Sequence, residues 1–443
     1  MTTDMTHGSP AKMLWRFTIP MLLSVIFQQF YNIADSMIAG QFIGENALAA
    51  VGASYPVTMI FMAVATGSNI GCSVIISQLF GAKNYPRMKT AISTSLISAM
   101  ALAALLTIGG FAFAAPILHA MHTPTNIFAD SMVYLNIYIG GLFFLFLYNL
   151  CTGIFTALGD SKTPLYFLIA SSLANIGMDI VFVVCFHMGV AGVAWATFLC
   201  QGIASLFAAF TLRRRLKAIK VESYPLFSKR EFVRIAKIAV PSILQQSFIS
   251  VGNLFIQALV NGFGSSVVAG YSAAVKLNSF AIMGFSTLGS GLSNFTAQNI
   301  GAGQVQRVKQ GFHAGVVLTL CVAVPFVIAY ACFGTQMVGI FMANPSAQAL
   351  QVGVDFLKIV SPFFIVISIK LMADGVLRGA GSMTCFMIAT LADLVLRVVL
   401  AFVLAPHFGA VGIWMSWPIG WVIATGLTML FYFTGRWKKV SQQ

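Results

Sequence analysis

The chain has 443 residues, of which 58% are hydrophobic and 8% charged, with a formal net charge of +14 and a mean hydropathy of +0.89. Soluble proteins run at about 45–50% apolar and about 25% charged residues, so the polar surface here is too small to cover a water-soluble particle. The composition excludes one and leaves an integral membrane protein. The seven cysteines lie in apolar runs with no CxxC pair, and none of the six histidines has a paired-ligand spacing. They read as packing residues, and metal chemistry has no support.

Apolar runs of about 20 residues or more predict twelve membrane spans, at 14–40, 49–80, 88–115, 131–157, 164–186, 190–212, 233–260, 266–299, 306–333, 350–377, 383–404 and 409–434. The first run carries no cleavable signal pattern. Of the 25 lysines and arginines, all but Lys276, Lys358, Lys370 and Arg397 fall on loops or span ends of one side. By the positive-inside rule that side is cytoplasmic and holds both termini, as expected for a multi-pass protein of the plasma (bacterial inner) membrane. The same distribution explains the net charge without nucleic acid.

The longest polar interruption runs from Arg213 to Lys237. It divides the chain into an N-lobe at 1–212, a linker with the start of the seventh span at 213–237, and a C-lobe at 238–443. Internal repetition supports the division. "QLFGAKNYPRMK" (Gln78 to Lys89) and "QNIGAGQVQRVK" (Gln298 to Lys309) share Gln, Gly, Ala, Arg and Lys in register, and "HMGVAG" (His187 to Gly192) and "HFGAVG" (His407 to Gly412) recur at the same offset. Six spans per half make the halves parallel repeats about an axis along the membrane normal, with a substrate path between them.

The first span ends in "QQFYNIADSMIAG", which places Asp35 deep in an apolar run. An ionised carboxylate at the centre of a membrane helix costs at least about 2.5–3.5 kcal/mol, so such residues face an interior or a wet cavity. Gln28, Asn32 and Asp35 form one stripe at spacings of four and three; Asn175 and Asp179 share a face of the fifth span, and Thr197 and Gln201 one of the sixth. At 1.5 Å per residue, Asp35, Asp179 and Thr197 each lie roughly 8–12 Å from the outer ends of their helices. Their oxygens suit Na⁺ or a shared proton. The plainer alternative, strongest for Asn175 and Thr197, is that these groups only hydrogen-bond helices together. The C-lobe has no such acid pair. Gln246, Ser250, Asn253 and Gln257 give its seventh span a neutral polar face suited either to a substrate cavity or to packing, and Lys276 on the eighth could meet a substrate or an acid. Asp393 and Arg397 are expected to neutralise each other, and Lys370, Asp374 and Arg378 to form a structural ladder.

"NIADSMIAG" with "ALAAVG", the "GAK" and "GAG" loops, "FTALGDSKTP" and "GVLRGAGSMT" together resemble the MATE family of multidrug and toxic compound extrusion transporters over essentially the whole chain. The resemblance implies an all-α membrane fold of two six-helix bundles set in a V, and antiport of amphipathic, often cationic, compounds against H⁺ or Na⁺. In the DinF-type branch the N-lobe coupling site uses an Asp on the first span, an Asn and an Asp on the fifth and a Thr on the sixth; Asp35, Asn175, Asp179 and Thr197 match these. The acids of a NorM-type C-lobe cation site have no counterpart. Export of a lipid-linked or polar metabolite is the alternative. A membrane enzyme would need a catalytic constellation, and ATP a Walker A loop; neither is present in the sequence. No cofactor beyond the coupling ion is expected, and the expected partners are small molecules and the bilayer, with the protein a monomer.

Overall fold

The computed structural model describes residues 3–38, 42–43, 45–121, 123–221, 223–342 and 346–440. Within them the regular structure is helical throughout, as hydrocarbon requires of backbone that cannot donate or accept elsewhere. The helices are α1 (Pro10–Ile38), α2 (Glu45–Gly81), α3 (Tyr85–Ala120), α4 (Thr125–Gly140), α5 (Leu142–Ala157), α6 (Lys162–Ile180), α7 (Gly189–Ala218), α8 (Lys229–Asn261), α9 (Ser265–Gly301), α10 (Val305–Gly339), α11 (Ala347–Val360), α12 (Phe364–Gly379), α13 (Met383–Phe408), α14 (Ala410–Phe433) and the short α15 (Arg436–Val440).

Eleven of the resulting segments are long and apolar enough to cross a membrane, and α4 with α5 makes a twelfth, bent by 49°. This is the all-helical membrane fold anticipated from hydropathy, with two spans broken rather than continuous. The fourth bends at Gly141, where a Cβ would approach the Phe198 ring to 3.2 Å. The tenth is interrupted by a 3₁₀ turn at Ser361–Phe363, because Pro362 has no N–H to continue the α ladder.

The chain forms two compact units: Met1–Asp4 with Ile19–Ile243, and Met5–Thr18 with Leu244–Gln443. In the first unit the start of α8 lies hard against α2. A Cβ at Gly71 would stand 2.8 Å from the Ala239 backbone nitrogen, and one at Gly67 2.7 Å from that of Ile243. Glycine is required there because the two backbones touch. The second unit is built around an aromatic core. Tyr271 stacks on Trp414 with centroids 4.9 Å apart, Phe356 meets Trp414 and Trp417 edge-on, and the buried Tyr330 hydroxyl donates to Leu277 O at 2.7 Å.

The repeated motifs adopt repeated geometry. Lys83 and Gly303, 220 positions apart, both have positive φ (55° and 73°), as do Gly189 and Gly409 (60° each). Lysine at such an angle is uncommon, and its place in the turn corresponds to the glycine of the other copy.

Candidate functional site

The fifth and sixth spans bring three predicted residues together in the first unit. Asn175 and Asp179 stand one turn apart on α6 and are 3% and 0% exposed, where an acid is costly. Asn175 donates its side-chain amide to Thr197 Oγ1 on α7 at 3.5 Å. Its own carbonyl oxygen Oδ1 is buried with no hydrogen-bond partner among the described residues. One residue after Ile180 the helix loosens into a π turn, Val181–Cys185, a distortion common at functional positions in helices.

Asp35 lies on α1, but its side chain is outside the described residues. Its neighbourhood is defined by Ile38, three residues further along, which joins Val183 and Val193 in a buried apolar cluster flanked by Ile176. The Asp35 end of α1 is therefore packed against the two elements that carry Asn175, Asp179 and Thr197.

Gln201, one turn after Thr197, lines with it a narrow cavity of ≈ 10 Å³ whose wall includes Tyr134 and Tyr138, room for about one water. Sequence reasoning passed over these tyrosines; their i,i+4 spacing on the fourth span was the available signal.

The remaining polar stripes make local contacts. On α1, Gln28 donates to Asn32 Oδ1 at 3.3 Å and Asn32 to Gln29 Oε1 at 3.2 Å. On α8, Gln257 donates to Asn261 Oδ1 at 2.8 Å and Ser250 to Gln246 O at 3.1 Å, while Asn253 is exposed. Lys276 is exposed on α9, its ammonium 5.7 Å from the centre of the Phe341 ring.

The second unit carries its own charges. Lys370 and Asp374 form a buried pair at 2.7 Å, and Asp374 also accepts from Thr428 Oγ1 at 3.3 Å; Arg378 donates to Ser290 Oγ at 3.1 Å. Asp393 and Arg397, expected to neutralise each other, form no ion pair among the described residues. The Arg397 guanidinium lies over Trp417, 4.5 Å from the ring centre, and the aromatic face takes the place of the acid. Among the described residues no group of histidines, cysteines and acids is arranged to hold a metal.

Outside the spans, Asp160 follows α5 and caps α6. It accepts from the backbone N–H of Lys162 and of Thr163, from the Thr163 hydroxyl and from Arg215. Burial pushes its carboxyl up, but the bonds from Thr163 and Arg215 outweigh burial and hold it below the ordinary carboxylate value.

Up to twelve helical spans among the described residues, with a buried acid and an amide of α6 beside a hydroxyl of α7 in the first unit, are the architecture of a multi-pass membrane protein with a polar interior. The MatE family model matches residues 20–181 and 241–403, and the chain belongs to that family of non-enzymatic transporters. It is 29% identical over 437 residues to the probable multidrug resistance protein YpnP of Bacillus subtilis, covering 98% of this chain and 97% of that protein. It is 26% identical over 344 residues to an FAD transporter of Shewanella oneidensis, covering 75% of each. A solved MOP superfamily transporter from Pyrococcus furiosus superimposes with a TM-score of 0.92 over 100% of both chains at 23% identity. A solved multidrug resistance MATE transporter in an outward-facing conformation gives 0.92, also at 23% identity, over 100% of this chain and 99% of its own.

Proposed function

We propose that this chain is a secondary active exporter of amphipathic, often cationic, compounds, driven by H⁺ or Na⁺ moving the opposite way. Asp35, Asn175, Asp179 and Thr197 are its coupling residues, as in the DinF-type branch that their pattern resembles. The observation that carries the reading is the burial of Asp179 one turn from Asn175, whose amide reaches Thr197. A fully buried acid in a span is kept where its charge state matters. Coupling needs an ion and a cargo that favour different states of the protein, and a carboxylate that exchanges an ion provides that difference. Multidrug resistance relatives matching nearly the whole length support the cargo class. The neutral face of α8 (Gln246, Asn253, Gln257), with Gln28, Asn32, Gln201 and Lys276, supplies cargo contacts. Both termini are cytoplasmic, the protein sits in the plasma membrane, and it works as a monomer.

The FAD transporter among the relatives favours one further reading, export of a polar metabolite. Inverted vesicles given a proton or a sodium gradient separately, with ethidium or FAD as cargo, decide both questions. Gradient-driven ethidium accumulation is expected. Movement of FAD alone would replace the multidrug reading, and movement of neither would remove both.

A further inference from the structure

The repeated inner loops place an arginine at the same register in each half, Arg87 and Arg307, 220 positions apart. Each arginine grips the segment that leads into a long helix, and the chemistry of the two grips differs.

In the first unit Arg87 on α3 binds Glu231 on the first turn of α8, through Nε at 3.0 Å and a terminal nitrogen at 2.6 Å, both to Oε1. Arg234 takes the other oxygen at 3.1 Å. Glu231 is 3% exposed. The preceding turn is fixed as well, since the Ser228 backbone N–H donates to Thr94 Oγ1 on α3 at 3.0 Å.

In the second unit Arg307 on α10 grips main chain. Its guanidinium donates to Met5 O at 3.3 and 3.2 Å, to His7 O at 2.9 Å and to Gly8 O at 2.6 Å. The Met5 backbone N–H donates to Gln298 Oε1 at 2.9 Å, and its carbonyl accepts from Asn299 Nδ2 at 3.3 Å. The Met5 side chain is fully buried.

The held segments share another property. Residues 5–18 belong to the second unit although most of α1 belongs to the first; the part of α8 up to Ile243 belongs to the first although the rest belongs to the second. The arginines therefore hold the starts of the two helices that change unit along their length. These are the helices that bear Asp35 and the neutral polar face.

We propose that Arg87 and Arg307 are a matched pair of positioning residues that hold the leading segments of α8 and α1, and that release these segments once in every transport cycle. The inference rests on the exporter reading above. A fork of planar donors suits both grips, on a carboxylate at one end and on three carbonyls at the other. A helix that responds to an ion bound near Asp35 must move relative to a fixed point at its start, or let that point go. A grip made of hydrogen bonds with no covalent tie can do the second.

The test is to lock one grip with its arginine intact. In a protein whose seven cysteines are replaced, Thr94→Cys with Ser228→Cys is oxidised to a disulfide beside Arg87 and Glu231, and ethidium transport is measured in vesicles. The proposal expects transport to fall at least tenfold on oxidation and to recover with reductant, while ethidium still binds. Unchanged transport with the disulfide formed would overturn it, because a static structural tie is indifferent to being locked. If the reduced variant does not transport, hydrogen exchange on the unmodified protein decides. The Met5 and Glu231 amides should exchange at least tenfold faster with saturating ethidium than without, at fixed pH, and equal protection would overturn the proposal. Failure of the exporter reading shows separately, as no gradient-driven ethidium movement by the unmodified protein.

Discussion

The side-chain amide of Asn175 meets Thr197 Oγ1 across 3.5 Å, joining α6 to α7 one turn from the buried Asp179. The Asn175 carbonyl oxygen Oδ1 is buried with no hydrogen-bond partner among the described residues, in a place where an oxygen would serve a cation or a hydronium well. Thr197→Val removes the hydroxyl and keeps the shape. Gradient-driven efflux is expected to fall about tenfold, roughly 1.4 kcal/mol, with expression unchanged. The check is initial transport rate against coupling-ion concentration, and an unchanged ion dependence would reduce Asn175–Thr197 to a packing contact.

The Lys370–Asp374 pair is buried on both sides. Removing one partner leaves the other charge buried without its counter-ion, at a cost of about 3–5 kcal/mol, whereas replacing both by apolar residues of similar volume is near neutral. Asp374→Leu should therefore lower the melting temperature in detergent sharply, and Lys370→Met with Asp374→Leu should recover most of it. A double variant no better than the single would show that the pair has a role beyond mutual neutralisation.

Much of this was legible in the sequence, for identifiable reasons. A hydrocarbon environment forces long apolar helices, so the twelve spans could be read from hydropathy, and the repeat offset of 220 carried through to matching turns at Lys83 and Gly303. The stripe containing Asn175 and Asp179 was readable because i,i+4 residues share a face. The bend at Gly141 was not, because a glycine inside an apolar run looks the same whether a helix passes through it or breaks there. The partner of Arg397 was misread for a related reason. Local spacing offered Asp393, but the guanidinium lies on a Trp417 ring from another helix. The pairing of Arg87 with Glu231 spans 144 positions, beyond the reach of any periodicity.

Asp160 provides a pH-dependent prediction. Its carboxyl titrates lower when folded than when unfolded, so the unfolded state binds the proton first as pH falls. The stability it contributes is complete above the ordinary carboxylate value of about 4 and is lost below it, as pH falls through the depressed folded value. Asp160→Asn should lower the melting temperature at pH 7 and flatten its decline from pH 5 to pH 3. The check is a thermal unfolding series in detergent, and equal acid slopes for the two proteins would contradict the assignment.

Close backbone contact in the second unit is equally open to test. A Cβ at Gly289 on α9 would stand 2.6 Å from Leu371 O on α12, so side-chain bulk there must push the helices apart. Gly289→Leu should cut the yield of folded protein in detergent, while Gly284→Leu on the same helix, where a Cβ meets nothing within 4 Å, should be tolerated. Size-exclusion profiles of the two variants provide the comparison.

The exporter reading stands or falls on Asp35 of α1 and the buried Asp179 of α6 as the groups that couple ion entry to export. Its most direct measurement is gradient-driven ethidium transport in inverted vesicles by Asp35→Asn and by Asp179→Asn, paired with equilibrium ethidium binding to the purified variants. The account predicts that both variants insert and bind ethidium within about threefold of the parent protein, a difference under roughly 1 kcal/mol, and that neither concentrates it under an imposed proton or sodium gradient. Full gradient-driven transport by either well-expressed variant would contradict the account.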